Sequence, residues 1–187
     1  MNHSTPKVLI PLAQGCEDLE SVTLIDLLRR ANINVTTASL DNEPVTCARG
    51  TVIIADTTLD AVFTNNFDLL VLPGGLPGAD NLNADPRIHQ MIDRLAADGK
   101  YIGAICAAPK VLVENGLLDG KKATAYPNSL SAMNTSKVEL SDVAVQIDGK
   151  VITSKGPGTA MDFALTLIEI LLGKEARDEV ETPLFRN

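Results

Sequence analysis

The sequence is poor in aromatic and basic side chains. Its 187 residues include no tryptophan and 3% aromatic residues, and 16 Lys+Arg stand against 24 Asp+Glu, which gives a net charge of -8. An acidic surface repels phosphate backbones, and few rings are available for base stacking. We therefore expect no dedicated nucleic-acid partner.

Long apolar runs and paired cysteines are also missing. No hydrophobic segment is long enough to cross a bilayer, and the start of the chain shows no secretory signal. The three cysteines, Cys16, Cys47 and Cys106, form no C-x-x-C pattern. These absences predict a cytoplasmic protein with reduced thiols, no membrane partner and no zinc site. We also expect no other metal and no cofactor, on the grounds given below for the loops and for the implied reaction.

The length and the 45% hydrophobic content fit a single domain over residues 1–187, with residues 1–5 frayed. Apolar runs and turn signals predict main strands at 7–12, 34–40, 69–72 and 101–105, a short strand at 123–125, and hairpins at 45–47/51–55 and 143–147/151–154. Helices are predicted at 18–30, 86–98, 107–115 and 159–172. Strands alternating with helices predict an α/β fold, with a mostly parallel sheet covered by helices on both faces.

The predicted strand 101–105 runs directly into Cys106, and small residues then lead into a helix. A thiol at such a turn faces the unpaired N–H groups and the positive dipole end of the helix, which favour the thiolate. Cys106 is therefore a candidate nucleophile. The alternative is an ordinary core cysteine, since cysteine is among the most often buried residue types.

Three loops that follow strands are expected to meet at one edge of the sheet, where open α/β sheets bind ligands. They contain residues 14–20, Pro73-Gly74-Gly75 and Cys106-Ala107. The N–H groups of Gly74, Gly75 and Ala107 could form an oxyanion hole, although a plain tight turn would explain the two glycines equally well. Neither phosphate-loop pattern is present, so we expect neither NAD nor ATP.

The acidic residues Glu17, Asp18 and Glu20 open the first predicted helix, where the helix dipole alone accounts for negative charge. A carboxyl turned inward beside Cys106 would instead have a raised pKa and could carry a proton. The only histidines, His3 and His89, are expected at the surface. A cysteine-protease triad therefore looks incomplete.

Four motifs occur in order and at characteristic spacing: Gly15-Cys16-Glu17-Asp18-Leu19-Glu20, Leu72-Pro73-Gly74-Gly75, Ala104-Ile105-Cys106-Ala107-Ala108-Pro109 and Ser154-Lys155-Gly156-Pro157-Gly158-Thr159. With these, the chain resembles the ThiJ/PfpI superfamily almost from end to end, and most closely its branch of the parkinsonism-associated protein deglycase and bacterial YajL. The resemblance implies a flavodoxin-like three-layer sandwich with a cysteine nucleophile elbow, and a homodimer.

The resemblance also implies roles for individual residues. Cys106 would be the reactive thiolate, Glu20 its protonated carboxyl partner, and Gly75 and Ala107 the backbone donors of an oxyanion site. Arg49 would line the pocket near the dimer interface.

Two positions depart from relatives. Ala107 stands where the PfpI branch has histidine, which disfavours peptidase activity, and Tyr126 stands where animal deglycase-like relatives have histidine. YajL-like members also lack that second histidine.

The implied function is a glyoxalase III or deglycase activity in carbonyl or oxidative stress, in which Cys106 attacks methylglyoxal or its glycated thiol and amine adducts. The alternative is a non-enzymatic redox sensor or stress chaperone that uses oxidation of the same cysteine. Cys16 is either a resolving thiol for Cys106 or a buried spectator.

Overall fold

Strands and helices alternate along the chain as the sequence predicts. The computed structural model describes residues 5–186, so the expected fraying at residues 1–4 and the position of His3 lie outside the described part. The strands are β1 (Lys7–Leu12), β2 (Asn34–Ser39), β3 (Val45–Thr46), β4 (Val52–Ile53), β5 (Thr57–Thr58), β6 (Leu69–Leu72), β7 (Tyr101–Ile105), β8 (Lys122–Ala123), β9 (Glu139–Leu140), β10 (Val145–Asp148) and β11 (Val151–Ser154). The helices are α1 (Asp18–Arg30), α2 (Leu59–Val62), α3 (Leu76–Ala84), α4 (Pro86–Ala97), α5 (Pro109–Asn115), α6 (Ala160–Leu172) and α7 (Lys174–Glu181).

The central sheet has seven strands in the order β10-β11-β7-β6-β1-β2-β5. Strand β1 pairs in parallel with β2 and β6, and β7 pairs in parallel with β6 and β11. Only the edge strand β10 is antiparallel within this sheet, through the predicted hairpin with β11. The carboxyl ends of β1, β6 and β7 therefore lie side by side.

Helices cover both faces of the sheet, because successive side chains of a strand point to opposite sides. Val8 and Ile10 of β1 lie in one buried cluster with residues of α1 and α6, such as Phe163. Leu9 lies in a second cluster with residues of α4 and α5, such as Met91. This is the three-layer, mostly parallel architecture that was predicted.

Several predicted elements match the structure closely. The strands at 7–12, 69–72 and 101–105 and the helix at 18–30 have the predicted bounds, and β3 and β4 form the predicted small hairpin. Asp85 caps α4 as expected, because its carboxylate accepts a hydrogen bond from the Arg87 N–H at 2.9 Å.

Helix α3 was not predicted. It starts after Gly75 and contains Pro77 and Gly78, which local rules interpret as a turn. The packing requires glycine at position 78, because a β-carbon there would lie 2.5 Å from the Cys16 Cα atom. This close approach holds α3 against the loop that follows β1.

Candidate active site

Cys106 follows the last residue of β7 and has a left-handed backbone, with φ of 64°. Few non-glycine residues adopt this conformation, which costs about 1–2 kcal/mol. Two hydrogen bonds hold it: the Cys106 N–H donates to the Ser154 carbonyl at 2.9 Å, and the Cys106 carbonyl accepts from the Tyr126 N–H at 2.8 Å. The thiol is therefore fixed in a sharp turn between β7 and α5, as a nucleophile elbow requires.

Glu20 projects from the first turn of α1 into the protein and is completely buried. Its Oε2 atom accepts a hydrogen bond from the Gly74 N–H at 2.9 Å. A β-carbon placed on Gly74 would lie 2.6 Å from both the Glu20 Oε2 atom and the Cys106 Cβ atom. Only a glycine at this position allows the carboxyl and the thiol to come together.

Burial raises the pKa of the Glu20 carboxyl from 4.5 to about 7, against the lowering effect of the Cys106 thiol and the Gly74 N–H. The Oε1 atom has no hydrogen-bond partner among residues 5–186. Glu20 can therefore hold a proton near neutral pH. This is the inward-facing acid that the sequence left as an alternative.

The pKa of Cys106 differs from the sequence expectation. Burial and the negative charge of Glu20 raise the pKa of the thiol to about 12, whereas the N–H groups of Gly75 and Ala107 lower it. The expected preference for the thiolate is thus wrong while Glu20 is ionised. Protonation of Glu20 removes the opposing charge, while burial still raises the pKa of the thiol and the two backbone N–H groups still lower it. The two side chains therefore compete for one proton.

The oxyanion role of Gly74, Gly75 and Ala107 stays a prediction. The N–H groups of Gly75 and Ala107 lower the pKa of the Cys106 thiol by hydrogen bonding. The N–H of Gly74 does not join them, because it is committed to Glu20. Only glycine fits at position 75, because its φ is 85° and a β-carbon would lie 2.3 Å from the Gly15 carbonyl oxygen.

The remaining acids of the first helix have structural contacts. The Glu17 N–H donates to the Gly74 carbonyl at 3.0 Å, and the Asp18 carboxylate accepts from the N–H groups of Arg49 at 2.7 Å and Thr51 at 2.9 Å. These bonds tie the β3–β4 hairpin and the glycine loop to the start of α1. Of the three acids, Glu20 is the one that is completely buried.

Tyr126 and Arg49, the two residues expected to line the pocket, lie at different places. The Tyr126 N–H donates a hydrogen bond to the Cys106 carbonyl, and Tyr126 lines a cavity of about 350 Å³ with Leu130, Met133 and Lys155 among others. Arg49 is exposed on the hairpin turn, and its backbone contacts Asp18. Its role in the pocket stays a prediction.

His89 is half-buried on α4, where its ring bonds the Asn83 carbonyl at 2.9 Å. One contact near the site is not predicted from the sequence: the Cys16 sulfur lies 3.4 Å from the Cys47 sulfur. No sequence signal indicates this contact, because the two cysteines are 31 positions apart.

No helix within residues 5–186 is long and apolar enough to cross a membrane. The same residues contain no group of three or more His, Cys, Asp or Glu side chains arranged to hold a metal ion.

Comparisons with known proteins agree with this geometry. Residues 6–170 match the model of the DJ-1/PfpI family. The crystal structure of Drosophila melanogaster DJ-1beta superposes with a TM-score of 0.94 at 40% identity and covers 98% of this chain and 100% of the other.

Two curated relatives are similar over almost all of this chain. Protein DJ-1 homolog B of Arabidopsis thaliana is 45% identical over 186 residues, which are 98% of this chain and 42% of the plant protein. The chain thus spans less than half of that relative's length. The glutathione-independent glyoxalase DJR-1.2 of Caenorhabditis elegans is 36% identical over 177 residues, which are 95% of this chain and 94% of the worm protein. With the elbow cysteine, the buried acid and the backbone donors in place, the chain belongs to the DJ-1/PfpI family.

Proposed function

We propose that this chain is a cofactor-independent cysteine enzyme of the glyoxalase III or deglycase type, acting on methylglyoxal or on its adducts with thiols and amines. One observation carries the proposal: the completely buried carboxyl of Glu20, with a pKa of about 7, adjoins the Cys106 thiol, whose pKa two backbone N–H groups lower. The relative from Caenorhabditis elegans, named as a glutathione-independent glyoxalase, supports the reaction class.

The chemistry begins when Glu20 holds the shared proton and Cys106 is a thiolate. The sulfur adds to the aldehyde carbon of methylglyoxal, and the oxygen that becomes negative accepts hydrogen bonds from the N–H groups of Gly75 and Ala107. Glu20 then donates its proton to this oxygen, which gives a neutral hemithioacetal. The lowering effect of these two N–H groups on the pKa of the thiol supports this role, since they stabilise negative charge at the elbow.

Completion requires an internal oxidation and reduction. The proton on the former aldehyde carbon moves to the adjacent carbonyl carbon, and the hydroxyl proton of the hemithioacetal moves to the carbonyl oxygen. The first carbon thereby becomes a thioester and the second a secondary alcohol. Water cleaves the thioester, releases lactate and returns the thiol. Glu20 accepts and returns these protons, a role supported by its pKa of about 7 and by the Oε1 atom, which has no hydrogen-bond partner within residues 5–186.

The test compares lactate formation from methylglyoxal by the wild type, Cys106→Ser and Glu20→Gln. We expect no lactate above background from Cys106→Ser, provided circular dichroism shows that it is folded. Equal lactate from the wild type and folded Cys106→Ser would end the proposal.

A second candidate function is a redox sensor, favoured by the same pair. A sulfinate formed on Cys106 would accept hydrogen bonds from the same backbone donors and from protonated Glu20. Intact-mass and peptide analysis after mild peroxide treatment should show oxygen added to Cys106 before Cys16 or Cys47. Equal oxygen addition at all three cysteines would rule out selective sensing.

We also propose that the protein acts as a homodimer. Four apolar side chains are at least 45% exposed on α1 and the hairpin tied to it, namely Leu19, Val22, Val52 and Ile54. A second copy covering this surface would bring a neighbour close to Arg49. Light scattering during size-exclusion chromatography should give the mass of a dimer, and Val22→Asp should shift it toward the monomer. A monomeric wild type would contradict the proposal.

A further inference from the structure

Cys16 and Cys47 form a buried thiol pair outside the chemistry proposed for Cys106. Their sulfur atoms are 3.4 Å apart, Cys16 is 0% exposed and Cys47 is 5% exposed. Both are free thiols in this structure. Neither side chain has a part in carbonyl addition, so the contact calls for another explanation.

Backbone hydrogen bonds on both sides of the pair bring the two thiols together. The Gly15 N–H donates to the Thr46 carbonyl at 2.8 Å, and the Ala48 N–H donates to the Cys16 carbonyl at 2.8 Å. The Asp18 carboxylate adds two further bonds to the hairpin turn. The main chain therefore sets the contact.

A disulfide needs a sulfur separation of about 2.05 Å, so the two sulfurs must approach by roughly 1.4 Å. Side-chain rotation and a small shift of the hairpin can supply this movement, because β3 and β4 have only two residues each. No element of the central sheet has to move.

The surroundings make one of the two thiols the better nucleophile. Burial raises the pKa of Cys16, but the adjoining Ser21 hydroxyl and Cys47 thiol oppose that rise. Burial and the contact with Cys16 raise the pKa of Cys47 to about 12. Where the pair loses a proton, the negative charge thus resides on Cys16, with Cys47 as the remaining thiol.

We propose that Cys16 and Cys47 are a second redox centre, which a hydroperoxide converts reversibly into an intramolecular disulfide. The Cys16 thiolate attacks the peroxide, a sulfur–oxygen bond forms, the oxygen–oxygen bond breaks, and the leaving oxygen takes up a proton. Cys47 then attacks the Cys16 sulfur, the sulfur–oxygen bond breaks, and water leaves with the Cys47 proton. Two thiols lose two electrons in total, and hydrogen peroxide is reduced to two molecules of water.

The disulfide would fasten the loop that supports the active site. A β-carbon on Gly75 would lie 2.7 Å from the Glu17 nitrogen and 2.9 Å from the Cys16 carbonyl carbon, so residues 15–17 pack directly on this oxyanion donor. Linking Cys16 to the hairpin therefore restrains the segment against which Gly75 rests. The proposal does not depend on carbonyl turnover at Cys106.

The test uses hydrogen peroxide on folded Cys106→Ser protein, which isolates the pair, alongside the wild type and the Cys106→Ser/Cys47→Ser double variant. Peptide mapping without reductant should show a Cys16–Cys47 linked peptide two hydrogens lighter than the separate peptides, and dithiothreitol should reverse it. The oxidised Cys106→Ser protein should melt roughly 5 °C or more above its reduced form. The double variant should show no such rise.

Three results would overturn the proposal. The first is that both thiols stay free after peroxide treatment, although both react with a maleimide once the protein is unfolded in urea. The second is oxygen addition at Cys16 or Cys47 without a link between them. The third is a Cys16–Cys106 link in the wild type, which would make Cys16 the resolving thiol of the active-site cysteine.

Discussion

Replacing Glu20 by glutamine is expected to stabilise the protein at neutral pH but not at acidic pH. Glutamine has nearly the same shape, stays neutral, and its side-chain oxygen can still accept the hydrogen bond from Gly74. The wild-type carboxyl, by contrast, becomes negatively charged when it ionises, although the Glu20 side chain is 0% exposed. Keeping this charge away from water costs stability. The variant removes this cost.

The sign and size follow from the two pKa values of the carboxyl. In the unfolded chain Glu20 has its ordinary pKa of 4.5, and in the folded protein the value is about 7. Between these values the folded state binds more protons than the unfolded state, so wild-type stability falls as pH rises. The full loss is about 3 kcal/mol and is reached above pH 7.

The measurement is urea unfolding at fixed protein concentration, from about pH 4 to about pH 8. At each pH, the free energy of unfolding of the wild type is subtracted from that of Glu20→Gln. We expect this difference to grow by about 3 kcal/mol across the range. A difference that stays constant with pH would refute the reasoning, since Glu20 would then ionise equally in both states. In a Cys106→Ala background the rise should move to higher pH, because the thiol lowers the Glu20 pKa.

Three further changes test other parts of the structure. Gly74→Ala places a methyl 2.6 Å from the Cys106 Cβ atom, so it should cost about 1–3 kcal/mol of stability in urea unfolding and abolish lactate formation, whereas Gly158→Ala, with open space around it, should do neither. Asp85→Asn keeps a capping oxygen for α4 but removes the charge that pairs with Arg87, and should cost about 1 kcal/mol in urea unfolding at neutral pH. Hydrogen bonds to the carboxylate outweigh burial and lower the pKa of Asp85, so this cost should disappear as pH falls through that lowered value. Tyr126→His introduces an imidazole at the position whose N–H bonds the Cys106 carbonyl, and it should raise kcat for lactate formation. The pH profile of kcat should show a new apparent pKa of about 6.5. An unchanged profile would show that this position does not reach the substrate.

How much of this could be predicted from sequence depends on how local each signal is. The strand leading into Cys106 and the helix carrying Glu20 are visible in apolar periodicity, because each element follows from consecutive residues. Helix α3 is not visible, since Pro77 and Gly78 are turn formers by local rules. Its helical state depends on packing against the loop of Cys16, which is distant in sequence.

The site shows the same division. The positions of the loops in the sequence suggest that an acid and a thiol meet. They do not decide which of the three neighbouring acids points inward, nor that the Gly74 N–H donates its hydrogen bond to Glu20. Both outcomes depend on how α1 lies against the end of β6, and so do the charge and burial that reverse the expected pKa direction of Cys106. The Cys16–Cys47 contact likewise depends on the docking of the hairpin, which no spacing pattern encodes.

The enzymatic and redox roles proposed for Cys106 can be separated, although both need the thiolate. Oxidation by peroxide requires the thiolate alone, whereas carbonyl addition also requires the Glu20 proton for the developing oxyanion. In Glu20→Gln the amide N–H can still stabilise the thiolate, but it transfers no proton. We therefore expect lactate formation to fall by about 100-fold or more while the rate of Cys106 oxidation changes only a few-fold.

Lactate formation and oxygen addition at Cys106 should be measured on the same preparations of wild type and Glu20→Gln. Equal loss of both rates would mean that Glu20 acts only by setting the charge of the thiol, and the assignment of proton transfer to Glu20 would fail. Unequal loss would show that one proton serves two purposes at this site: its position makes the sulfur reactive, and its transfer completes the carbonyl reaction. A buried acid with an ordinary pKa could do neither near neutral pH, since it would already be ionised, and its charge would oppose the thiolate.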